Sequence, residues 1–251
     1  MFDLTGRVAV ITGASGGLGR QFTLALARQG ADVVILARRQ EKLEEVAEEV
    51  RALGRKCLAV KTDVTKLEDI KHAVKTVMEE FGKVDILINN AGGANGSPLT
   101  DFCDEKWDAT MALSLTSVMQ CTREFGREMV KAGYGRVVNV SSILGAGGLP
   151  EVPVADYHAA KGGVTNFTRG AAAEWGKTGV TVNAICPGFF QSEVNTAEAM
   201  EAMSGFINGR TPMGRPGKDG ELDSAIVFLS ADESSYVTGL ICYVDGGWTA
   251  I

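Results

Sequence analysis

Short apolar runs alternate with amphipathic stretches along almost the whole chain, and that alternation leaves few folds open. RVAVIT is followed by GLGRQFTLALARQG, in which Leu18, Phe22 and Leu26 recur at helical spacing before Gly30. The unit returns as ADVVILA with QEKLEEVAEEVRALG, KCLAVKT with KLEDIKHAVKTVMEEFG, VDILINN with EKWDATMALSLTSVMQCTREFGREMV, and GRVVNVSS with ADYHAAKGGVTNFTRGAAAEWGKTG. VTVNAICPG and a late LICYVDGG complete seven apolar runs. Strands without a polar face must be covered on both sides, and helices between them supply the cover. The pattern predicts an α/β architecture: a doubly wound, mainly parallel seven-stranded sheet flanked by helices. No Pro/Ser linker, composition break or fixed-period repeat divides the units, so residues 1–251 are read as one domain.

One long interruption runs from Pro187 to about Glu221 and contains two short helical patches among several Gly and Pro. Its Phe189, Phe190, Met200, Met203, Phe206 and Ile207 distinguish it from a disordered linker and predict a lid with an apolar underside at about 188–220. The formal net charge of −6 argues against nucleic acid or an anionic membrane as partner, since both call for a basic field, and favours a small molecule. Five cysteines without a CxxC pair read as reduced thiols of a cytoplasmic protein, and no run approaches the ~18 apolar residues of a membrane span. His72 and His158 lack partners at ligand spacing, so no metal site is expected.

The first strand–helix turn reads TGASGGLG. Gly13, Gly17 and Gly19 there let the backbone turn sharply and approach a pyrophosphate, whose charge the helix N-terminus favours. The spacing is GxxxGxG and departs from the GxGxxG fingerprint, and a plain tight turn is the competing explanation. At the end of the second strand, where an acidic residue would bind a ribose 2′-hydroxyl, Ala37 is followed by Arg38 and Arg39, with no carboxylate before Glu41. Two guanidiniums suit a 2′-phosphate and favour NADP(H), with NAD(H) possible.

In YHAAK, Tyr157 and Lys161 are four residues apart and share a helix face. A neighbouring ammonium favours the phenolate, so the pair predicts a lowered Tyr157 pKa and a phenol able to exchange a proton with an alcohol or ketone oxygen. Ala159, Ala160, Gly162 and Gly163 clear space for a cofactor or a neighbouring helix. Fifteen residues before Tyr157, Ser141 and Ser142 end a strand, where ligands of open α/β sheets gather and a hydroxyl can steady a developing oxyanion.

TGASGGLG, TDVT, NNAG, VNVSS, YHAAK, PG at 187–188 and YVDGG, in this order and spacing, resemble the short-chain dehydrogenase/reductase family over essentially the whole chain. The resemblance implies a Rossmann-like fold and a hydride transfer between NADP(H) and a secondary alcohol or ketone. It further implies that Gly13, Ser15, Gly17, Leu18 and Gly19 cradle the phosphates, Arg38 meets the 2′-phosphate, and Asp63 and Val64 border the adenine. Asn90, within the NNAG turn, would support the central strand and the adenosine ribose. Pro187, Gly188, Phe190 and Ser192 would contact the nicotinamide end. Ser142 would hold the substrate carbonyl, Tyr157 would act as acid or base, and Lys161 would bind ribose hydroxyls. Two positions depart from the pattern. Ser114 stands where relatives carry an Asn that orders a relay water, and Gly16 stands where many NADP users have a cation.

The resemblance also implies a homotetramer, assembled through the helices that hold Trp107 and Tyr157. The later part of the chain is similar to gluconate 5-dehydrogenases and to 3-oxoacyl carrier-protein reductases. A sugar acid needs hydrogen bonds and a cation, whereas the expected lid and ILGAGGLPEVPVAD are mostly apolar, so the physics leans toward a cyclic or steroid-like ketone. A carrier-protein reductase would need a basic docking patch, for which Arg210, Arg215 and Lys218 are candidates. The rival from another class is a non-catalytic NADP-binding sensor.

Overall fold

The first apolar run becomes β1 (Val8–Thr12), buried at all its positions and central in a seven-stranded sheet. The computed structural model describes residues 1–192 and 196–251. The remaining strands are β2 (Asp32–Ala37), β3 (Cys57–Lys61), β4 (Ile86–Asn89), β5 (Gly135–Val140), β6 (Val180–Pro187) and β7 (Ile241–Val244). Their order is β3-β2-β1-β4-β5-β6-β7 and every adjacent pair is parallel, so the sheet expected to be mainly parallel is parallel throughout. The chain winds outward from β1 to β3 and then returns to lay β4 on the other side of β1. Connections leave β1 and β4 in opposite directions, which opens a crevice above their C-terminal ends.

Alternate residues of β1 supply both faces, as a period of two requires. Ala9 and Ile11 pack with Phe22 and Leu26 of α1 (Gly17–Arg28), Leu43 and Val46 of α2 (Gln40–Ala52), and Ile226 and Leu229 of α9 (Asp223–Ser230). Val8 and Val10 pack with Ile70 and Val77 of α3 (Leu67–Phe81), Phe125 and Met129 of α5 (Ser117–Ala132), and Ala171 and Ala172 of α6 (Ala155–Trp175). The helix α9 is not among the units that the alternation predicts. The stretch expected as one long helix is divided: α4 (Asp104–Met111) widens into a π turn at Ala112–Thr116 before α5 begins. Among the described residues no helix is long and apolar enough to cross a membrane.

A buried polar ladder fixes the middle strands. Asn89 Nδ2 donates to Asn139 Oδ1 at 2.8 Å and to Thr122 Oγ1 at 2.9 Å, and Asn139 Nδ2 donates to Thr168 Oγ1 at 2.9 Å. These bonds tie β4, β5, α5 and α6 together where the sheet is dry.

The segment after β6 carries α7 (Ala197–Ala202) and α8 (Ser204–Arg210), the two short helices expected there; Glu193–Asn195, within the span read as a lid, lie outside the described residues. Its apolar residues divide between two tasks. Phe189 and Phe206 pack against Trp248 with ring centroids 5.2 and 5.6 Å away, and Arg210 lies 4.8 Å above the same indole. Ala199 and Met203 face the crevice.

The bare turn around Lys161 serves neighbouring elements. A Cβ at Gly163 would meet Leu115 of the π turn at 2.8 Å, and a Cβ at Gly145, in the turn after β5, would lie 2.8 Å from the Lys161 carbonyl oxygen. Backbone cannot yield as a flexible side chain can, so Gly145→Ala is expected to push the 143–145 turn off α6. The expected cost is about 1–3 kcal/mol by urea denaturation, as for other overpacked contacts, and an unchanged unfolding midpoint would show that the two segments have room to part.

Candidate active site

Above the C-terminal ends of β1, β4, β5 and β6 lies a cleft of about 630 Å³. It gathers Gly13, Ser15, Gly17, Leu18, Gly19, Arg38, Asp63, Val64, Asn90, Ser142, Tyr157, Lys161, Pro187, Gly188, Phe190 and Ser192, which are all but one of the residues that the sequence resemblance assigns to catalysis or cofactor binding. The exception is Ser114.

At one end the glycine turn is shaped by close approach. Gly13 has φ +66°, and a Cβ at Gly19 would fall 2.2 Å from the Gly13 carbonyl oxygen. Asn90 braces this turn through Nδ2, which donates to the carbonyls of Thr12 (3.0 Å) and Gly13 (3.2 Å). The first turn of α1 has no side-chain cap and no acidic residue, so its N–H groups and dipole remain available to an anion. The cradle therefore fits a dinucleotide pyrophosphate.

At the end of β2, Arg38 is exposed on the cleft rim, and Arg39 donates to Ser15 Oγ through Nε (3.2 Å) and Nη2 (2.8 Å). Asp63 stands nearby. Burial works to raise its pKa, but hydrogen bonds from Thr65 and the Arg38 charge outweigh this and leave it below the ordinary carboxylate value.

At the other end, β5 delivers two serines with different partners. Ser141 Oγ donates to the Lys161 carbonyl at 2.9 Å and meets Thr165 Oγ1 at 3.0 Å, which fastens it to α6. Ser142 Oγ accepts from Leu144 N at 3.1 Å, leaving its one O–H for Tyr157 or a substrate oxygen. Lys161 is 2 % exposed, and Nζ donates to the Val140 carbonyl at 2.6 Å.

The electrostatics correct one expectation. Burial pushes the Tyr157 phenol up to about 12, with a Ser142 hydrogen bond working against the rise. Burial brings the Lys161 ammonium down to about 8. Lys161 Nζ lies 5.4 Å from the Tyr157 ring centroid and is bound to Val140, so it does not offset desolvation at the phenol.

Ser114 lies behind the cleft wall instead of on it. Fully buried, its hydroxyl donates to the Gly93 carbonyl at 2.7 Å and accepts from Gly93 N at 3.0 Å. A hydroxyl has one proton, already engaged, so Ser114 holds the cleft wall in place and keeps only an acceptor lone pair with which to hold a water. The expectation placed it among the catalytic residues.

The sequence model of the short chain dehydrogenase family matches residues 7–202, most of the chain. The chain belongs to this family. Gluconate 5-dehydrogenase of Gluconobacter oxydans (strain 621H) is 37% identical to it over 250 residues, covering 99% of this chain and 97% of that protein. A 3-oxoacyl-[acyl-carrier-protein] reductase of Staphylococcus epidermidis is 35% identical over 240 residues, covering 95% of this chain and 97% of that one. Among solved structures, a gluconate 5-dehydrogenase from Burkholderia cenocepacia in complex with NADP and tartrate superposes with a TM-score of 0.95 at 35% identity, covering 100% of this chain and 98% of the other.

In this short-chain dehydrogenase the stretch expected to be mostly apolar supplies Ile143, Leu144, Leu149, Val152 and Val154 to the far wall, and Gly92 of the NNAG turn packs so closely that a Cβ there would stand 3.2 Å from Lys161 Nζ. Cys186 is buried beneath the site, its thiol pushed up to about 11 by burial despite hydrogen bonds with Ser141 and Ser142. No role is read for it in the sequence; its place in β6 after three alternating apolar positions, Val180, Val182 and Ala184, was the available signal.

A depressed lysine makes a testable contribution to the dehydrogenase's stability. Between about 8 and the ordinary 10.5 the unfolded chain holds the Lys161 proton and the folded chain does not. Stability relative to Lys161→Met is therefore expected to rise with pH across that window, by on the order of 1–3 kcal/mol. Urea unfolding of both proteins without added cofactor checks this, and parallel pH curves would mean that folding leaves the ammonium hydrated.

Proposed function

We propose that the protein is an NADP(H)-dependent oxidoreductase that interconverts a moderately apolar, cyclic secondary alcohol and its ketone, with Tyr157 as acid and base. The observation that carries this reading is the convergence of Ser142, Tyr157 and Lys161 at one end of a cleft whose other end is a glycine cradle with Arg38 on its rim.

The bound nicotinamide supplies or accepts the hydride and, when oxidised, adds a positive charge to the site. In reduction, Tyr157 hands its phenolic proton to the carbonyl oxygen as that oxygen gains charge, while the Ser142 O–H hydrogen-bonds the same atom. A phenol raised to about 12 by burial is fully protonated at neutral pH, which suits this direction. Oxidation reverses the roles and needs the phenolate. Lys161 holds ribose hydroxyls, and Pro187, Gly188, Phe190 and Ser192 floor the nicotinamide end. Gly13, Ser15, Gly17, Leu18 and Gly19 bind the phosphates, Asp63 and Val64 flank the adenine, and Asn90 braces the turn.

The preference for NADP(H) over NAD(H) rests on Arg38, since Gly16 brings no cation and Arg39 is held on Ser15. The NADP in the Burkholderia relative supports it. Arg38→Leu is expected to raise KM for NADPH about 10- to 100-fold, the worth of a charge-assisted hydrogen bond. KM for NADH should hardly move; an equal rise for both cofactors would remove Arg38 from 2′-phosphate recognition.

For the substrate, the apolar wall of Ile143, Leu149, Val152, Val154, Ala199 and Met203 supports a ring-like hydrocarbon body. The gluconate 5-dehydrogenase relatives favour a sugar acid instead. Among the described residues, the cationic side chains on the cleft are Arg38 and Arg39 at the cofactor end and the buried Lys161, which leaves a sugar carboxylate without a dedicated partner. The third reading, a carrier-protein thioester, loses much of its basic patch: Arg215 pairs with Glu221 at 2.7 Å and Arg210 is stacked on Trp248. The segment at 188–220 is read as the lid, the chain as a cytoplasmic homotetramer in keeping with the family resemblance.

NADPH oxidation is expected with a bulky cyclic or bile-acid ketone and weakly with 5-ketogluconate or an acetoacetyl thioester, with NADH slower throughout. Reversal of that order would establish the sugar-acid or thioester reading. Tyr157→Phe should lower kcat about 10²- to 10⁴-fold; full turnover in that variant would sink the mechanism, and NADPH binding by wild type without turnover of any ketone would favour the sensor. Because reduction consumes the Tyr157 proton, its kcat/KM should hold through neutral pH and fall in alkali, while oxidation rises with pH.

A further inference from the structure

The residue immediately before Tyr157 is a carboxylate that the chemistry above does not use. Asp156, in the first turn of α6, is 0 % exposed, and burying a carboxylate is costly unless it is hydrogen-bonded. Its Oδ2 accepts from Thr110 Oγ1 at 2.6 Å and from the Asn95 backbone amide at 3.0 Å, while Oδ1 is buried without a protein partner among the described residues. Thr110 is also an acceptor, from Asn95 Nδ2 at 2.9 Å, so its hydroxyl is engaged on both sides.

These bonds belong to a larger frame. Thr110 and Ser114 stand four residues apart, at the end of α4 and in the π turn. Ser114 holds Gly93, Thr110 with Asp156 holds Asn95, and Ser97 N donates to the Pro153 carbonyl at 2.8 Å. The stretch from Gly93 to Ser97 is thus fastened at every second residue, and Gly93 and Ala94 within it face the cleft. A single buried carboxylate joins that wall and α4 to the helical turn that carries the phenol.

We propose that Asp156 is a positioning residue for the alcohol–ketone reaction: through Thr110 and Asn95 it fixes the Gly93–Ser97 wall against the turn of α6 that presents Tyr157. The inference rests on the reading of Tyr157 as acid and base. A wall and a phenol held by one acceptor keep a fixed spacing, and proton transfer to a bound carbonyl requires it.

The test compares Asp156→Ala, Asp156→Asn and Thr110→Val in steady-state turnover, NADPH titration and amide hydrogen exchange. The Asn side chain keeps one oxygen able to accept both bonds, whereas Ala keeps none. Asp156→Ala and Thr110→Val are expected to lower kcat about 10- to 100-fold, as small misplacements of reacting groups do. Asp156→Asn should recover near-wild-type kcat, and NADPH affinity should hold in all three. Exchange at the Asn95 amide and across residues 155–160 should speed up in Asp156→Ala and stay slow in Asp156→Asn. Wild-type kcat in Asp156→Ala, a full loss shared by Asp156→Asn, or a kcat loss matched by lost NADPH affinity would each overturn the proposal. So would unchanged exchange. Exchange reads the contact even where the wild-type protein reduces no ketone; in that case the reading of function fails and the exchange result still decides whether Asp156 holds the wall.

Discussion

The residues proposed to react all hang on a clasp between the end of β5 and the middle of α6. The Lys161 ammonium donates to the Val140 carbonyl, and one residue on, the Ser141 hydroxyl donates to the Lys161 carbonyl. The two bonds run in opposite directions between the same two segments, so neither sliding nor rotation of α6 leaves both intact. Side chains can share so tight a space only because Gly145 presents no Cβ to the Lys161 backbone. From this clasp the remaining geometry follows: Ser142 is the next residue of the strand, Tyr157 the previous turn of the helix, and both face the crevice that the strand order opens between β1 and β4.

Burial gives this arrangement its chemical character. The same dry surroundings that make the Lys161–Val140 bond strong raise the phenol and depress the ammonium. A four-residue spacing on a helix states that two side chains share a face. It does not state what else each one touches, and here the lysine turns to a carbonyl. Charge proximity read from spacing therefore pointed to a lowered phenol where desolvation raises it.

The fold was legible because its signal is long-range and redundant: seven apolar runs, buried in the inner strands and half-buried at the β3 and β7 edges, with helices of period 3.6 between them. The cleft was legible for a related reason. Strand ends and glycine turns have fixed places in such a sheet, so Gly13, Ser142 and Pro187 fall together wherever the order is kept. What escaped notice depends on contacts between segments distant in sequence. Ser114 meets Gly93 across twenty-one residues and Asp156 meets Asn95 across sixty-one, and neither pairing leaves a local pattern. The π turn at Ala112–Thr116 is hidden likewise, because one extra residue in a helical turn barely disturbs an amphipathic period.

Phe190 and Gly217 stand at opposite ends of the segment that follows β6, yet they are neighbours. Gly217 N donates to the Phe189 carbonyl at 2.9 Å, Phe190 and Gly217 form a parallel bridge, and the Phe190 ring fills the place where a Gly217 Cβ would stand. A segment closed at its own neck behaves as a purse whose drawstring is already tied. Its interior, with Ala199 and Met203 on the cleft side, can be rebuilt by mutation or insertion while the neck, and with it the cleft residues Pro187–Phe190, stays where it is. One part of the cleft lining can in this way be replaced while another keeps its place.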